Sequence, residues 1–402
     1  MDQLLHIFNP WWEGQFVAEG IERTGYLEAL TRKRTSKDVV FITGLRRVGK
    51  TTLVRQLIGR LLAEGEDPRR IVYFTMDHPA MVKESILTVL DAYRRVHGLR
   101  HDDRFTAFID EVHARDGFEQ ELKAVHDMGH VKVYATGSSS LFLVERGSFL
   151  TGRQSFVEVY PFTFKEYLGM KGTTVRPSDS HLMVRYAEDY VLAGGLPEYL
   201  RTSDPGYVTT LVDSLLFKDI AARRGVRNLQ ALRELLLLVT QSTGSKVSPR
   251  KIARTLGISH ETVREHLSFF EEANLIHMVR LRGKVSESVA APKKVYVSDT
   301  GIVRVMSPTV NIGSLVENCV FNALRARGRD ITYGVVDGKE VDFIMPGECI
   351  EVKYTDRVGP GDVSHLMHLK VGRRTVVTRN QSGRLEGVDL VPLWRFLMQE
   401  KT

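Results

Sequence analysis

The sequence predicts an α/β protein in which a parallel sheet with crossover helices is followed by a helical region and a second, smaller α/β unit. Three observations support this fold class. Short apolar runs alternate with amphipathic stretches from residue 39 to about 136, the pattern is mostly helical from about 160 to 273, and strand signals return after residue 291. Alternating strands and helices are typical of parallel sheets, because parallel neighbours need a long crossover between them.

Seven short apolar runs are the predicted strands of the two α/β units. Amphipathic stretches predict the helices, among them 53–62 after the first strand and its loop, and 313–324 before the last two strands. The strands are predicted at residues 39–42, 71–74, 105–109, 131–135, 294–297, 341–344 and 350–353.

Composition excludes several classes of protein. Apolar residues make up 43% and charged residues 26% of the 402 residues, which is ordinary for a folded, water-soluble chain. No apolar run approaches the roughly 20 residues of a membrane span, and the N-terminus lacks the features of a secretory signal. Two cysteines, Cys319 and Cys349, are too few for a disulfide framework or a four-cysteine zinc site. We therefore expect a cytoplasmic protein with no membrane partner.

A phosphate-binding loop is predicted between the first strand and the helix that follows it. Residues 44–51 fit the pattern G-x-x-x-x-G-K-[ST] at each fixed position. Glycines let main-chain N–H groups turn toward phosphate oxygens, and the helix N-terminus adds a favourable dipole. We expect Lys50 to reach the β- and γ-phosphates of ATP and the Thr51 hydroxyl to bind Mg²⁺. The predicted ATP-binding residues of this loop are Gly44, Arg46, Arg47, Val48, Gly49, Lys50, Thr51 and Thr52.

Two carboxylates after the third strand complete the predicted nucleotide site. Asp110 and Glu111 directly follow an apolar run, which is the Walker B pattern. We expect Asp110 to hold Mg²⁺, directly or through water, and Glu111 to polarise the attacking water. Ser138, after the fourth strand, is the predicted sensor of the γ-phosphate, with a helix-capping turn as an equal alternative. Arg153 is either an arginine finger for a neighbouring site or a surface arginine.

A helix-turn-helix pattern lies in the most basic part of the chain, where residues 201–300 carry 16 basic and 10 acidic side chains. Ser248 caps the first helix, Gly257 lies in the turn and Ser259 caps the second. A strand at 276–280 and a basic loop follow, as in a winged helix. Glutamates of the second helix oppose docking on phosphates, so an internal packing module is the alternative to DNA binding. The predicted DNA contacts are Arg250, Lys251, Arg254, His260, Thr262, Arg264, Arg282 and Lys284.

Carboxylates also cluster near the C-terminal end. Asp342 and Glu351 lie on two predicted strands joined by a short connection, so a hairpin would bring them together. We expect them to bind a second divalent metal, Mg²⁺ or Mn²⁺, with Glu317 of a preceding helix as a third or outer ligand. Lys353, on the same face as Glu351, would orient a nucleophilic water. The alternative is an exposed hairpin with salt bridges.

The order of these motifs resembles that of a known family. The chain is similar to prokaryotic, especially archaeal, AAA-like ATPases of the STAND-related group with a C-terminal restriction-endonuclease-like domain. The resemblance rests on Asn9-Pro10-Trp11-Trp12, the P-loop, Asp110-Glu111, residues 136–139 and 160–168, and Gly194-Gly195-Leu196-Pro197-Glu198. It implies that Pro197 belongs to a G-x-P motif near adenine and that the Asp-x8-Glu-x-Lys pattern is a PD-(D/E)XK nuclease core. The implied domains are an N-terminal arm (1–37), a P-loop ATPase core (38–160), a helical lid (161–227), a winged helix (228–298) and a nuclease-like domain (299–402).

Two classes of function follow from these motifs. In the first, ATP hydrolysis is coupled to DNA binding and DNA cleavage, and the complete set of acidic residues and Lys353 favours it. In the second, ATP and ADP states switch the packing of the arm and the winged helix, and the C-terminal domain only binds a partner or DNA. A metabolic kinase is disfavoured, because the sequence has no recognisable lid motif for a small substrate. The sequence leaves the preferred DNA and the formation of a homo-oligomer open.

Overall fold

The structure is a computed structural model that describes residues 1–14, 16–137, 150, 152–173 and 180–399. The chain forms two compact units, Met1–Val159 and Tyr160–Thr402. The predicted α/β class is confirmed, because the first unit contains a parallel sheet and the second contains a mixed sheet with helices. Within the described ranges, every helix is too short or too polar to cross a bilayer.

The first unit is built on five parallel strands. They are β1 (Val39–Thr43), β2 (Ile71–Thr75), β3 (Phe105–Asp110), β4 (Val131–Thr136) and β5 (Gln154–Glu158). Their order across the sheet is β2-β3-β4-β1-β5, and each neighbouring pair runs parallel. The carboxyl ends of β1, β4 and β3 therefore lie side by side at one edge of the sheet, which is where ligands bind in open α/β sheets.

Helices pack on this sheet through alternate strand residues. Val72 and Phe74 of β2 share a buried cluster with Val89 and Leu122 of two crossover helices, and each such side chain contributes about 1.5–3 kcal/mol on burial. The helices are α1 (Asp2–Phe8), α2 (Thr24–Arg32), α3 (Lys50–Ala63), α4 (Ile86–His97) and α5 (Phe118–Met128), with short 3₁₀ helices at Pro10–Trp12, Pro68–Arg70 and Val112–Ala114.

The second unit begins with a run of helices. They are α6 (Phe164–Met170), α7 (Ser180–Ala193), α8 (Pro197–Thr202), α9 (Pro205–Ser214), a π-helix (Leu215–Ala221), α10 (Ala222–Arg224), α11 (Leu229–Gln241), α12 (Pro249–Leu256) and α13 (His260–Glu272). Further along the chain come α14 (Val285–Ala290), α15 (Thr300–Met306), α16 (Ile312–Ala326), α17 (Pro360–Val363), a 3₁₀ helix (Ser364–His368) and α18 (Leu393–Leu397).

Two sheets complete this unit. A three-stranded antiparallel sheet contains β6 (Lys246–Val247), β7 (Ile276–Val279) and β8 (Lys293–Val297), in the order β6-β8-β7. A six-stranded mixed sheet contains β9 (Thr332–Val336), β10 (Lys339–Met345), β11 (Glu348–Lys353), β12 (Arg373–Thr378), β13 (Gly383–Leu385) and β14 (Val388–Pro392). Its order is β13-β14-β12-β11-β10-β9, and only β11, β12 and β14 run parallel.

The short helix α15 follows the predicted domain boundary at residue 299. It packs against α7, α9 and α11 and also against the following helix α16, and its Ile302 and Val303 are fully buried. The predicted domain boundaries stay predictions.

Candidate functional site

The P-loop joins the end of β1 to the start of α3. Gly44 and Gly49 adopt φ angles of 135° and 93°, and Arg47 one of 64°. Such backbone conformations allow main-chain N–H groups to turn inward just before the N-terminus of α3, as a phosphate site requires. Gly44 has a second reason to be glycine, because an added Cβ would lie 2.2 Å from the carbonyl oxygen of Val159.

The reactive side chains of the loop are held at its base. Lys50 is buried, and its Nζ donates to the carbonyl oxygens of Gly44 and Leu45 at 3.1 Å each. The Thr51 hydroxyl donates to Asp110 Oδ2 at 2.8 Å. This hydrogen bond joins the P-loop to the Walker B carboxylate. The two lie close together because β1 and β3 end on either side of β4.

The other predicted loop residues have different surroundings. Val48 is buried in the core, Arg46 is half-buried, and Arg47 and Thr52 are exposed. The role of Arg47 and Thr52 in nucleotide binding stays a prediction.

Asp110 accepts hydrogen bonds from three hydroxyl groups. Besides Thr51, the Tyr73 hydroxyl donates to Oδ2 at 2.9 Å, and the Thr136 hydroxyl donates to Oδ1. The sequence does not single out Tyr73, and it places the sensor at Ser138, which lies outside the described residues. The signal for Tyr73 and Thr136 is positional, because each is a hydroxyl residue in a strand that neighbours β3.

Glu111 adopts a strained backbone conformation next to this carboxylate. Its φ of 47° lies in the left-handed region, which costs a non-glycine residue of order 1 kcal/mol. Its N–H donates to the Thr136 hydroxyl at 2.9 Å, and its Oε2 lies 3.4 Å from His113 Nδ1. Burial raises the pKa of Glu111, although the nearby Lys50 acts in the opposite direction. A carboxylate with a raised pKa accepts a proton more readily, as the predicted role requires.

Arg153 lies away from the P-loop of its own chain. It immediately precedes β5, whose Gln154 pairs with Val39 at the start of β1. The P-loop follows the opposite end of β1, and Arg153 forms an ion pair with Asp127 at 3.3 Å. A role on the site of a neighbouring copy stays a prediction.

Pro197 lies in the second unit, at the start of α8. The two glycines before it have a packing role: a Cβ on Gly195 would lie 2.2 Å from the carbonyl oxygen of Phe162. The Gly195 N–H donates to the buried Asp299 at 2.6 Å. Burial raises the pKa of Asp299 to about 6, although several backbone N–H groups act against the increase. Proximity of Pro197 to adenine stays a prediction.

The predicted helix-turn-helix is formed by α12 and α13. Ser248 and Ser259 cap the two helices, and Gly257 has a φ of 64° in the turn. Among the predicted DNA contacts, His260 and Thr262 are half-buried in the first turn of α13, and His260 pairs with Glu261 at 2.7 Å. The other six are exposed, namely Arg250, Lys251, Arg254, Arg264, Arg282 and Lys284.

The β10–β11 hairpin places the predicted nuclease residues together. Phe343 pairs with Ile350, so Asp342 and Glu351 are neighbours across the two strands. The main-chain N–H of Asp342 donates to Glu351 at 3.3 Å, and Asp342 Oδ2 accepts from the N–H of Val352 at 2.9 Å. Lys353 Nζ lies 2.8 Å from Glu351.

An ammonium group occupies the centre of this carboxylate cluster. Lys294 of β8 is buried, and its Nζ lies 2.6 Å from Glu317, 2.8 Å from Glu340 and 3.1 Å from Asp342. The Tyr296 hydroxyl also donates to Glu317, at 2.7 Å. Burial alone would lower the pKa of Lys294, but the Asp342 and Glu317 carboxylates raise it above its ordinary value, so the ammonium stays charged.

This arrangement gives no support to the expectation of a second metal. In the part of the chain that the structure describes, no group of three or more His, Cys, Asp or Glu side chains is arranged to hold a metal ion. The sequence predicted a metal at Asp342 and Glu351 with Glu317, but Lys294 supplies the positive charge that Asp342 and Glu317 need. Sequence reasoning missed Lys294 and Glu340, because neither belongs to the D…ExK pattern.

Comparison with known proteins agrees with the geometry of the first unit. Residues 36–168 match the family model described as an AAA domain, and residues 184–312 match a model described as a domain of unknown function. Residues 36–168, which contain the P-loop and the Walker B carboxylates, are therefore similar to an AAA domain. The comparisons do not support the C-terminal nuclease-like domain that the resemblance implies.

Similar proteins occur in a bacterium and an archaeon. An uncharacterized protein of Haemophilus influenzae is 25% identical over 402 residues, covering 94% of this chain and 99% of the relative. The uncharacterized protein MJ1544 of Methanocaldococcus jannaschii is 25% identical over 392 residues, covering 88% and 87%.

Solved structures show only weak similarity. Hsp104 of S. cerevisiae is 14% identical with a TM-score of 0.33, covering 64% of this chain and 50% of that one. DnaA from Aquifex aeolicus is 17% identical with a TM-score of 0.29, covering 68% and 92%. Scores this low support no argument about function.

Proposed function

We propose that this chain is a Mg²⁺-dependent ATPase whose nucleotide site lies in the first unit. The observation that carries the proposal is the 2.8 Å hydrogen bond from Thr51 to Asp110, which joins the P-loop to the Walker B strand. Hydroxyl and carboxylate oxygens are the ligands that Mg²⁺ prefers, so this pair fits the metal that accompanies ATP.

Each residue of the site has a proposed role. The N–H groups at the start of α3 and the Lys50 ammonium bind the phosphates, and Thr51 and Asp110 hold Mg²⁺, which neutralises phosphate charge when bound. Glu111 orients the attacking water and accepts its proton, which its raised pKa favours.

Two variants and one control test the ATPase proposal. Lys50→Ala should abolish nucleotide binding or weaken it greatly, whereas Glu111→Gln should bind ATP normally and lose hydrolysis. The exposed Lys37, just before β1, provides the control Lys37→Ala, which should change neither. Binding is measured by equilibrium titration and turnover by phosphate release. Full hydrolysis by Glu111→Gln would show that another residue orients the water.

We also propose that the basic surface of α12, α13 and the loop after β7 binds DNA. The six exposed basic side chains of this surface support the proposal. Two of the opposing glutamates are used internally: Glu271 accepts from the N–H of Met278 at 3.0 Å, and Glu272 forms an ion pair with Arg224. Repulsion of phosphates by α13 is therefore weaker than the sequence suggests.

Salt dependence of DNA affinity tests this second proposal. Affinity for a labelled duplex should fall steeply between about 50 and 200 mM salt, because binding releases counterions. The double variant Arg282→Gln/Lys284→Gln should lower both the affinity and its salt dependence. The control Lys83→Gln/Arg95→Gln removes the same charge from exposed positions of the first unit and should have a smaller effect. Absence of binding even at low salt would favour the alternative, a regulatory ATP/ADP switch whose helix-turn-helix is a packing module.

DNA cleavage is not part of the proposal, because the comparisons give no support for a nuclease-like domain and Lys294 forms ion pairs with Glu317 and Asp342, two of the carboxylates predicted to bind the metal. A cytoplasmic location remains proposed from the sequence, and both cysteines are free and buried. Association into a homo-oligomer remains a proposal, which rests only on the predicted role of Arg153 as an arginine finger for the site of a neighbouring copy.

A further inference from the structure

The outer edge of the nucleotide-binding sheet is covered by side chains of the N-terminal arm. Asn9 is fully buried, and its amide bonds both main-chain groups of Tyr73: Nδ2 donates to the carbonyl at 2.8 Å, and Oδ1 accepts from the N–H at 2.6 Å. Trp11 and Trp12 each donate an indole N–H to the carbonyl oxygen of Ile71, at 3.2 and 2.9 Å. The arm therefore fixes the backbone position of Tyr73 in the edge strand β2.

The side chain of Tyr73 connects this edge to the Walker B carboxylate. It is 4% exposed, and its hydroxyl donates at 2.9 Å to Asp110 Oδ2, the oxygen that also accepts from Thr51. The phenol is the donor of this hydrogen bond, because the oxygens of a carboxylate only accept. The Arg55 guanidinium, on the helix that follows the P-loop, lies 5.8 Å from the centre of the Tyr73 ring.

We propose that Tyr73 is a positioning residue that orients Asp110 toward Mg²⁺, and that Asn9 of the N-terminal arm sets the position of Tyr73. The inference rests on the proposed ATPase function. A Thr51 hydroxyl that binds Mg²⁺ through an oxygen lone pair can still donate its hydrogen to Asp110, and Tyr73 and Thr136 supply the other two hydrogen bonds that orient this carboxylate. Asn9 of the arm thereby affects the metal site through Tyr73 and Asp110, although it does not contact the metal.

Metal-dependent nucleotide binding separates this role from a structural one. Tyr73→Phe removes only the hydroxyl, and the matched control Tyr134→Phe removes a buried hydroxyl of the same sheet, which donates to the carbonyl of Leu30 at 3.0 Å. Binding of a fluorescent ATP analogue is measured in EDTA and across a Mg²⁺ titration. In Tyr73→Phe the half-saturating Mg²⁺ concentration should rise about tenfold, as expected for a lost hydrogen bond to a charged group. Binding in EDTA should not change, and Tyr134→Phe should match wild type in both measurements.

Asn9→Ala tests the link to the arm. It should raise the half-saturating Mg²⁺ concentration in the wild-type background and have no further effect in the Tyr73→Phe background. Equal Mg²⁺ dependence of Tyr73→Phe and Tyr134→Phe, or equal weakening of Tyr73→Phe with and without Mg²⁺, would overturn the inference and leave the ATPase proposal intact. Wild-type protein that binds no nucleotide would overturn both.

Discussion

Replacing Lys294 with methionine should strongly destabilise the second unit. Methionine keeps most of the volume but leaves Glu317 and Asp342, whose oxygens lie 2.6 and 3.1 Å from Nζ, without their central positive charge. Removing one partner of a buried ion pair costs roughly 3–5 kcal/mol. Glu340 adds little to this loss, because it is 34% exposed and keeps an ion pair with Lys246 at 2.6 Å. For a unit of this size, the melting temperature should fall by on the order of 10 °C.

Calorimetry of the full chain measures this effect, with Lys293→Met as the control. Lys293 precedes Lys294 on β8, and its half-buried side chain points to the other face of the strand. The pH dependence gives a second measurement. Burial and Asp342 raise the pKa of Glu317, so this carboxyl takes up a proton as the pH falls, and a neutral carboxyl needs no counter-ion. The destabilisation by Lys294→Met should therefore shrink between about pH 8 and pH 5.

Two results would refute this reasoning. Equal melting temperatures for Lys294→Met and Lys293→Met would show that the ammonium contributes no net stability. The second result concerns metal, tested in the Lys50→Ala background so that the nucleotide site does not contribute. If Mn²⁺ raises the melting temperature there and Asp342→Asn removes the increase, the cluster binds metal despite Lys294.

Two further predictions concern the packing of Gly195 against Asp299 and Phe162. Its pKa of about 6 exceeds the ordinary value of 3.8, so folding favours the protonated form and the resulting stability is lost as the pH rises through 6. Between about pH 5 and 7.5, the unfolding free energy of wild type should fall by about 1.4 kcal/mol more than that of Asp299→Asn. Urea denaturation measures both, and an equal pH dependence of the two proteins would contradict this. Gly195→Ala should cost about 1–3 kcal/mol, because its Cβ meets the Phe162 carbonyl. Gly169→Ala, in open space within α6, should instead stabilise by about 0.5–1 kcal/mol, and equal melting of the two variants would exclude the steric argument.

The nucleotide site could be predicted from sequence because its parts are local. Gly44 to Thr51 form one continuous loop, and Asp110 and Glu111 are adjacent at the end of a strand that its apolar run predicts. The neighbourhood of Asp342 and Glu351 is local too, since a short hairpin connection decides which residues pair.

The remaining contacts depend on long-range packing that no local pattern records. Tyr73 and Asp110 are 37 residues apart and meet because β2 and β3 are neighbours in the sheet. Lys294 is 23 residues from Glu317 and 48 from Asp342, and it approaches them from a different sheet. A lysine side chain is rarely buried, so the burial of Lys294 among carboxylates could not be predicted from the sequence.

The covered edge of β2 determines how far a working fragment of the ATPase domain must extend. A fragment cut just before the P-loop strand would contain every nucleotide-binding motif but would lack Asn9, Trp11 and Trp12. The main-chain groups of Ile71 and Tyr73 would then be left unpaired on an exposed strand, and exposed edges of this kind recruit strands from other molecules. Such a fragment should aggregate, and the twelve residues at the start of the chain act as the natural protection of the sheet against self-association.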